Sequence, residues 1–202
     1  MSKISRVLTL FLLTISTNSW AKKESLPIEL VALQADLIVV GKIVDVGEKT
    51  YSFKITEYIK GTSDTIINVE PFQEWICDKR YDTVEIGQHL ILFLRKNNNT
   101  FALINASTGE IPILAEKITL KGEEYTYGDY RSFPYTLAAS EFISGIKEFL
   151  NCYAMPVKCY DCYPDTLIQI CTDEYLLEFI NFLTFTTWIH KKVIDNYKVV
   201  KS

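Results

Sequence analysis

Four of the five cysteines lie within a stretch of twenty residues, and thiols at this density could support several kinds of chemistry. They are Cys152, Cys159, Cys162 and Cys171, and Cys77 lies far upstream. In an oxidising compartment such a cluster typically forms disulfides. Four cysteines allow three pairings, and the sequence does not choose among them. All five are disulfide candidates, and the odd number leaves at least one thiol free, reduced or paired between chains.

Metal binding and redox catalysis are the competing interpretations of the cluster. The spacing C-x6-C-x2-C-x8-C lacks the paired C-x-x-C motifs of structural zinc modules. Cys159-Tyr-Asp-Cys162 has the C-x-x-C spacing of thioredoxin-like centres. Such chemistry favours a first cysteine at the start of a helix, whereas Pro164 follows this motif. The alternative hypothesis for function is therefore an exported thiol-redox or metal-dependent enzyme using Cys159 and Cys162.

Other residues offer little catalytic potential. His89 is predicted to begin a strand at a barrel rim, and His190 to complement the dipole at the end of the last helix. The sequence contains no glycine-rich phosphate loop, G-x-S-x-G motif or H-E-x-x-H motif. We therefore predict no catalytic residues, no cofactor and no metal, and a protein that is not an enzyme.

The N-terminus carries the pattern of a secretory leader. Basic residues Lys3 and Arg6 precede an apolar run over 7–15, and Ser19-Trp20-Ala21 places small residues at a cleavage site. An apolar run of about nine residues is far shorter than the roughly twenty that a membrane helix needs. We predict a signal peptide at 1–21 and export to the periplasm or the extracellular medium.

Composition excludes some partners and favours a folded domain. The formal net charge is −4, and loss of the leader's two cations leaves the mature chain at about −6. Nucleic acid binding requires clustered lysine and arginine, which the mature chain lacks. A hydrophobic content of 48% is ample for a core. We predict that the protein binds a protein partner of unknown identity, that it does not bind nucleic acid, and that it has no membrane span after cleavage.

The first half of the mature chain has the pattern of a small barrel. After a lead-in over 22–32, short segments rich in branched and aromatic residues follow one another with turns between them. The segment from Tyr51 alternates apolar and polar residues, as a half-buried strand does, and the segment at 87–96 is almost wholly apolar, as a strand buried on both faces should be. We predict a five-stranded OB-fold-like β-barrel over 33–114, with strands at 35–47, 51–61, 65–72, 87–96 and 101–109.

These segments resemble the netrin-like modules and, more closely, the bacterial exported relatives of the tissue inhibitors of metalloproteinases. The resemblance covers about half of the mature chain and rests on the order of three loose motifs. Its matching residues are Asp36, Val39, Gly41 and Ile43, then Tyr58, Lys60 and Gly61, then Cys77, Gly87, Leu92, Phe93 and Leu94. The resemblance implies an OB-fold barrel and an inhibitor-like activity.

One departure from the family removes its mechanism. In the inhibitors the mature N-terminal residue is a cysteine whose amine and carbonyl chelate the protease zinc. The mature N-terminus expected here is KKESLPIEL, with no cysteine before Cys77. A barrel without that residue is expected to act through its loops or its outer face.

The second half is predicted to be helical. After a polar, aromatic loop over 115–135, apolar residues at helical spacing begin near Thr136, and a second helix is expected from about Thr172 to Lys192. The fold class is thus β plus α, a barrel followed by a two-helix, cysteine-bearing tail over 136–202. The second helix is apolar nearly all round, which suggests a possible homodimer through the last helix.

A binding region is predicted in the long connection 73–88 between the third and fourth strands. Trp75, Arg80 and Tyr81 belong to the residue types enriched at binding hot spots. The simpler interpretation is that Trp75 covers the open end of the barrel. Together these observations predict an exported, non-enzymatic protein-binding or inhibitor-like module of unknown target.

Overall fold

The computed structural model describes residues 26–74, 78–127, 131–160 and 162–202, with the backbone alone over 121–127 and 131–134. The predicted signal peptide at 1–21 lies outside the described residues, as do Trp75 and Cys77. Within the described ranges, no helix combines the length and apolar character that a membrane crossing requires.

The barrel prediction is confirmed. A short helix α1 (Ile28–Gln34) precedes the strands, which are β1 (Leu37–Val46), β2 (Tyr51–Lys60), β3 (Ile66–Glu70), β4 (His89–Asn97) and β5 (Thr100–Leu103). The sheet order is β1-β2-β3-β5-β4, and β4 also pairs with β1, so the sheet closes on itself. Among the strand pairs of this barrel sheet, β3–β5 is parallel and the others are antiparallel. A short 3-10 turn (Ala106–Gly109) leads into β6 (Glu110–Pro112), which pairs with β4 outside the closed barrel. This arrangement fits an OB-fold.

Alternation along the central strands builds two cores, one on each side of the barrel wall. In β4, Leu90, Leu92 and Leu94 fill the barrel, and Ile91 and Phe93 face the helices outside it. Since β4 is buried on both faces, its nearly continuous apolar sequence is explained. Strand β1 divides its residues in the same way, and Gly41 lies so close to β2 that a Cβ would collide with the Lys54 carbonyl.

The segment predicted as a loop over 115–135 forms a long β-hairpin instead. Its strands are β7 (Lys117–Tyr127) and β8 (Arg131–Ala138), paired antiparallel with one register shift between Leu120 and Glu124. Ile118, Leu120, Tyr135 and Leu137 are buried against the helices. The polar and aromatic composition suggested a loop, but the apolar residues alternate where the base of the hairpin meets the core.

The C-terminal region contains three helices rather than two. Helix α2 (Ala139–Cys152) matches the first predicted helix, and the second predicted helix divides into α3 (Asp173–Phe182) and α4 (Thr184–Asn196). The break falls at Leu183, whose backbone is extended with φ −143° and ψ 158°. A small sheet of β9 (Tyr153–Ala154), β10 (Thr166–Gln169) and β11 (Lys198–Lys201) ties the helices together.

The helices and the barrel share one core. Phe142 of α2 contacts Phe93 of β4 edge-on, with 6.3 Å between ring centroids, and contacts Phe185 of α4 at 5.2 Å. Helix α1, which falls mostly within the predicted lead-in, is buried along its whole length. The helical region is therefore packed on the outer wall of the barrel.

Candidate binding surface

The structure resolves the pairing of four cysteines within the described residues. Cys152 is bonded to Cys171, with 4.6 Å between their Cα atoms, and Cys159 is bonded to Cys162, with 6.1 Å. Both separations lie in the normal range for disulfides. The disulfide prediction is confirmed for these four residues.

The two disulfides occupy different environments. Cys152 is fully buried and belongs to the core beneath the helices, so its bond holds the end of α2 to the segment before α3. Cys159 and Cys162 are half-exposed, and their bond closes a surface segment that lies between β9 and β10. We call residues 155–160 and 162–163 the disulfide loop.

Apolar side chains project from the disulfide loop. Val157 is 72% exposed and Tyr163 48%, and Tyr160 between the two cysteines is also exposed. Large apolar groups are normally scattered singly on a protein surface, so a group of three on one short loop is a candidate interaction site.

Asp36, in the turn between α1 and β1, anchors the disulfide loop to the barrel. Its carboxylate accepts hydrogen bonds from the Lys158 ammonium, from the Tyr160 hydroxyl at 2.8 Å and from the Lys96 amide at 2.9 Å. Burial would raise the pKa of Asp36, but these donors hold it below its usual value. The Arg95 guanidinium lies 5.8 Å from the Tyr160 ring centroid and adds a cation–π contact. The loop is thus fixed in place by charge-assisted hydrogen bonds as well as by its disulfide.

A groove of about 760 Å³ runs beside this loop, between the barrel and helix α2. Its walls include Ile59, Lys60, Leu150 and Met155. The Lys60 ammonium donates to the Ala32 and Leu33 carbonyls, at 3.1 and 2.9 Å, and so caps the end of α1. Burial lowers the pKa of Lys60 to about 8, and the nearby Lys158 acts in the same direction. The groove has the size and the mixed apolar and charged lining of a ligand or peptide site.

Two predicted binding residues of the 73–88 connection, Arg80 and Tyr81, do not line this groove. Their environments also differ from each other. Arg80 is buried: its Nε lies 2.5 Å from Glu110 Oε1, and its side chain is only 5% exposed. Its other nitrogens donate to the Asp82 and Thr83 carbonyls and to Gln88 Oε1. Since these contacts are all internal, Arg80 organises the connection and is not presented to a partner. Composition alone could not distinguish this role from that of an exposed hot-spot arginine.

Tyr81 and Tyr51 flank the Arg80–Glu110 pair. Tyr81 is exposed, with its ring centroid 4.9 Å from the Arg80 guanidinium, and burial of its hydroxyl raises its pKa. Tyr51 is buried and donates to Glu110 Oε2 at 3.3 Å. Burial raises the pKa of the Glu110 carboxyl, and Arg80 opposes that shift. Of the two predicted residues that the structure describes, Tyr81 is therefore accessible and Arg80 is not, and Trp75 lies outside the described residues.

Both histidines have structural roles in this arrangement. His89 is the first residue of β4, as predicted, and burial lowers its pKa. The prediction for His190 is wrong, because it does not lie at the end of a helix. It lies inside α4, where its Nδ1 shares a hydrogen bond of 2.6 Å with the Tyr153 hydroxyl. Burial lowers the pKa of His190 and raises that of Tyr153 to about 12, which favours the neutral imidazole and the protonated phenol.

Sequence reasoning missed the residues that define the surface. Asp36 was noted only as part of a family motif, and neither Val157 nor Tyr163 was singled out. Their signal was the cluster Pro-Val-Lys-Cys-Tyr around the first cysteine of the C-x-x-C motif, which places apolar residues in a segment too short for a core. Among the described residues, no three histidine, cysteine or acidic side chains are gathered as metal ligands.

No protein-family model matches this chain, and no curated protein is significantly similar to it in sequence.

Proposed function

We propose that this protein is an exported, non-enzymatic protein-binding module that uses the barrel as a scaffold and the disulfide loop with its groove as the contact surface. The observation that carries the proposal is the exposure of Val157, Tyr160 and Tyr163 on a loop that is held at two points. A partner would bury these side chains and reach the groove beside them.

Rigidity of the loop supports binding. A flexible segment loses conformational entropy when it binds, and a segment that is already ordered loses less. The disulfide and the Asp36 anchor order this loop in the free protein. Tyrosine also contributes a large contact area with few rotatable bonds, which suits it to an interface.

The outer face of β2 and β3, through which OB-folds commonly bind, is a weaker candidate. Its side chains include Ser52, Lys54, Thr56 and Asn68, and the Ser52 hydroxyl donates to Asn68 Oδ1 at 3.3 Å. Ile66 of β3 and Tyr58 of β2 are exposed as well. A face with few apolar side chains among polar neighbours offers little area for a hydrophobic contact.

The netrin-like resemblance favours a protein as the ligand. In that family the barrel carries loops that engage another protein, and an inhibitor-like role agrees with the predicted export. The expected mature chain lacks the zinc-chelating cysteine, so we propose a contact that does not involve a partner's metal.

Site-specific photocrosslinking tests this function. A photoreactive amino acid is placed at Val157, at Tyr163 or, as a matched exposed control, at Ile66, and the variants are produced in the native host. We expect a discrete adduct from the first two positions and none from Ile66. The crosslinked protein is then purified, and its affinity is measured for Val157→Asp, Tyr163→Ala and Ile66→Asp.

Removing a central apolar contact should weaken binding at least tenfold, because interface hot spots are worth about 2 kcal/mol or more. Ile66→Asp should leave the affinity unchanged. Equal affinity of all three variants, or adducts that form equally at Ile66, would overturn the assignment of this surface.

A homodimer through the last helix stays a prediction. Leu177 and Phe182 of α3 and Ile194 of α4 are large, exposed apolar residues that such a contact would use. Sedimentation of the wild-type protein and of Leu177→Glu tests this: a dimer that the substitution dissociates would support the contact, and a wild-type monomer at high concentration would exclude it.

A further inference from the structure

The two disulfides differ in the burial of their cysteines. Cys159 and Cys162 are both half-exposed, whereas the other disulfide joins the fully buried Cys152 to the half-exposed Cys171. In thiol–disulfide exchange an incoming thiolate attacks one sulfur while the other leaves as a thiolate. Attack at Cys171 would leave that thiolate on the buried Cys152, so burial favours exchange at Cys159–Cys162 over Cys152–Cys171.

Basic side chains lie on and beside the disulfide loop. Lys158, whose ammonium is paired with Asp36, precedes Cys159 and has a 60% exposed side chain, Arg95 lies against the ring of Tyr160, and Lys60 lies in the adjoining groove. A cation close to a cysteine stabilises its thiolate and so makes it both a better leaving group and a more abundant nucleophile near neutral pH. Lys158, next to Cys159 in sequence, is the cation whose effect can be tested directly.

A buried amide is directed at one of the two sulfurs. Gln34, at the end of α1, has no exposed surface, and its Nε2 donates to the Cys162 carbonyl at 2.7 Å. The same nitrogen lies 3.9 Å from Cys162 Sγ, within hydrogen-bonding distance of sulfur. An N–H donor at this position would stabilise negative charge on Cys162 rather than on Cys159.

The loop would keep its place if the disulfide opened. Lys158 and Tyr160 bind Asp36 through hydrogen bonds that do not involve sulfur. Opening the bond would therefore leave the two thiols close together and able to close again. Reversible exchange needs this property, since otherwise reduction would lead to local unfolding.

We propose that Cys159–Cys162 is a redox-active disulfide that accepts two electrons from a dithiol of an exported partner. A thiolate of the dithiol attacks Cys159 Sγ, the Cys159–Cys162 bond breaks, and the electron pair leaves on Cys162 Sγ next to Gln34. The partner's second thiol then loses its proton and attacks the partner's first sulfur, which is joined to Cys159 in the mixed disulfide. This attack releases the Cys159 thiolate. The partner becomes a disulfide, its two protons pass to Cys159 and Cys162, and atoms and electrons balance.

This inference does not rest on the proposed binding function, because a small dithiol can replace the partner in the test. The oxidised mature protein is incubated with dithiothreitol under native conditions, and the free thiols are alkylated at intervals and located by mass spectrometry. We expect Cys159 and Cys162 to be reduced at least tenfold faster than Cys152 and Cys171. Reduction of both disulfides at one rate, or only after denaturation, would overturn the proposal.

Variants test the roles of the neighbouring residues. In Cys162→Ala, the remaining Cys159 thiol should form a stable mixed disulfide with oxidised glutathione; in Cys159→Ala, the Cys162 thiol should form far less of it. The alkylation rate of reduced Cys159 as a function of pH should give a thiol pKa below the usual value of about 8.5.

Lys158→Gln should raise the pKa of the Cys159 thiol and slow reduction of the disulfide several-fold. Lys158→Arg should restore the low thiol pKa and the fast reduction. Lys201→Gln on β11 serves as the matched control. Gln34→Leu should slow the release of Cys162 in the same assay, with circular dichroism used to confirm that the variant is folded. A thiol pKa at or above 8.5 that does not respond to the charge at position 158 would contradict the proposal, whatever the result of the crosslinking experiment.

Discussion

The Arg80 guanidinium and the Glu110 carboxylate form an ion pair inside the protein, with 2.5 Å between Nε and Oε1 and side-chain exposures of 5% and 1%. The pair joins the long connection before β4 to the start of β6, and Tyr51 adds a hydrogen bond from the barrel interior. Arg80, which the sequence suggested as a residue of a binding surface, is thus part of a buried ion pair.

Replacing Arg80 alone should be strongly destabilising. Arg80→Met leaves the Glu110 carboxylate buried without its partner, and we expect the free energy of unfolding to fall by about 3–5 kcal/mol. The double variant Arg80→Met/Glu110→Leu removes both charges and should recover much of that loss. Urea unfolding of the three proteins measures both effects. A single variant that loses less than 1 kcal/mol would show that the pair is not buried as described.

The two disulfides should contribute differently to stability. Cys152–Cys171 spans 19 residues of sequence and Cys159–Cys162 spans 3. The chain-entropy treatment assigns about 3 kcal/mol to the longer loop and about 2 kcal/mol to the shorter one. Replacing Cys152 and Cys171 by alanine also leaves space in the core, so this variant should be the less stable of the two. Chemical denaturation of each double variant measures the order, and the reverse order would contradict it.

Gly145 should not tolerate alanine, although glycine is usually unfavourable inside a helix. A Cβ at this position would collide with the Phe185 ring of α4. In an exposed helix Gly→Ala gains about 0.5–1 kcal/mol, whereas we expect Gly145→Ala to lose about 1–3 kcal/mol through overpacking. The loss should be smaller when Phe185→Leu is also present, because the colliding atoms are then removed. Additive effects of the two substitutions would argue against the contact.

His190 should make the protein less stable as the solution becomes acidic. Burial lowers its pKa below the unfolded value of 6.5, so the folded state favours the neutral imidazole, which is hydrogen-bonded to Tyr153. The stabilisation is complete above pH 6.5 and is lost as the pH falls through the lowered pKa of the folded state. Thermal unfolding between pH 7.5 and 5 measures this dependence. His190→Gln should reduce it, with the remainder due to His89, whose pKa is also lowered. An unchanged pH dependence in His190→Gln would contradict the assignment.

Local patterns in the sequence were sufficient for the barrel. The alternation from Tyr51 and the apolar run from His89 predicted β2 and β4, because a strand records the burial of each face in its own residues. Closure of the five strands followed from their number and their short turns. The hairpin at 117–138 was missed because its polar and aromatic composition suggested a loop, although Ile118 and Leu120 alternate into the core.

Long-range contacts decided the rest. The break at Leu183 depends on packing: Phe179 before it and Phe185 after it both enter the core. The disulfide pairing required the end of α2 to lie beside Cys171, which no spacing could show. Arg80 and Asp36 illustrate the same limit at the candidate sites, because their partners Glu110 and Lys158 lie 30 and 122 residues away in sequence.

By itself the sequence determined the five barrel strands and the helical character of the segments after residue 136, since their periodic burial is a local property of the chain. It also limited the chemistry by its net charge and by the absence of common catalytic motifs. The tertiary structure alone decided that the predicted hot-spot arginine is internal, that one disulfide includes a fully buried cysteine while both cysteines of the other are half-exposed, and that the disulfide loop lies beside a groove against the barrel. These features depend on which side chains come into contact in the folded chain, because only such contacts bury a group or compensate its charge.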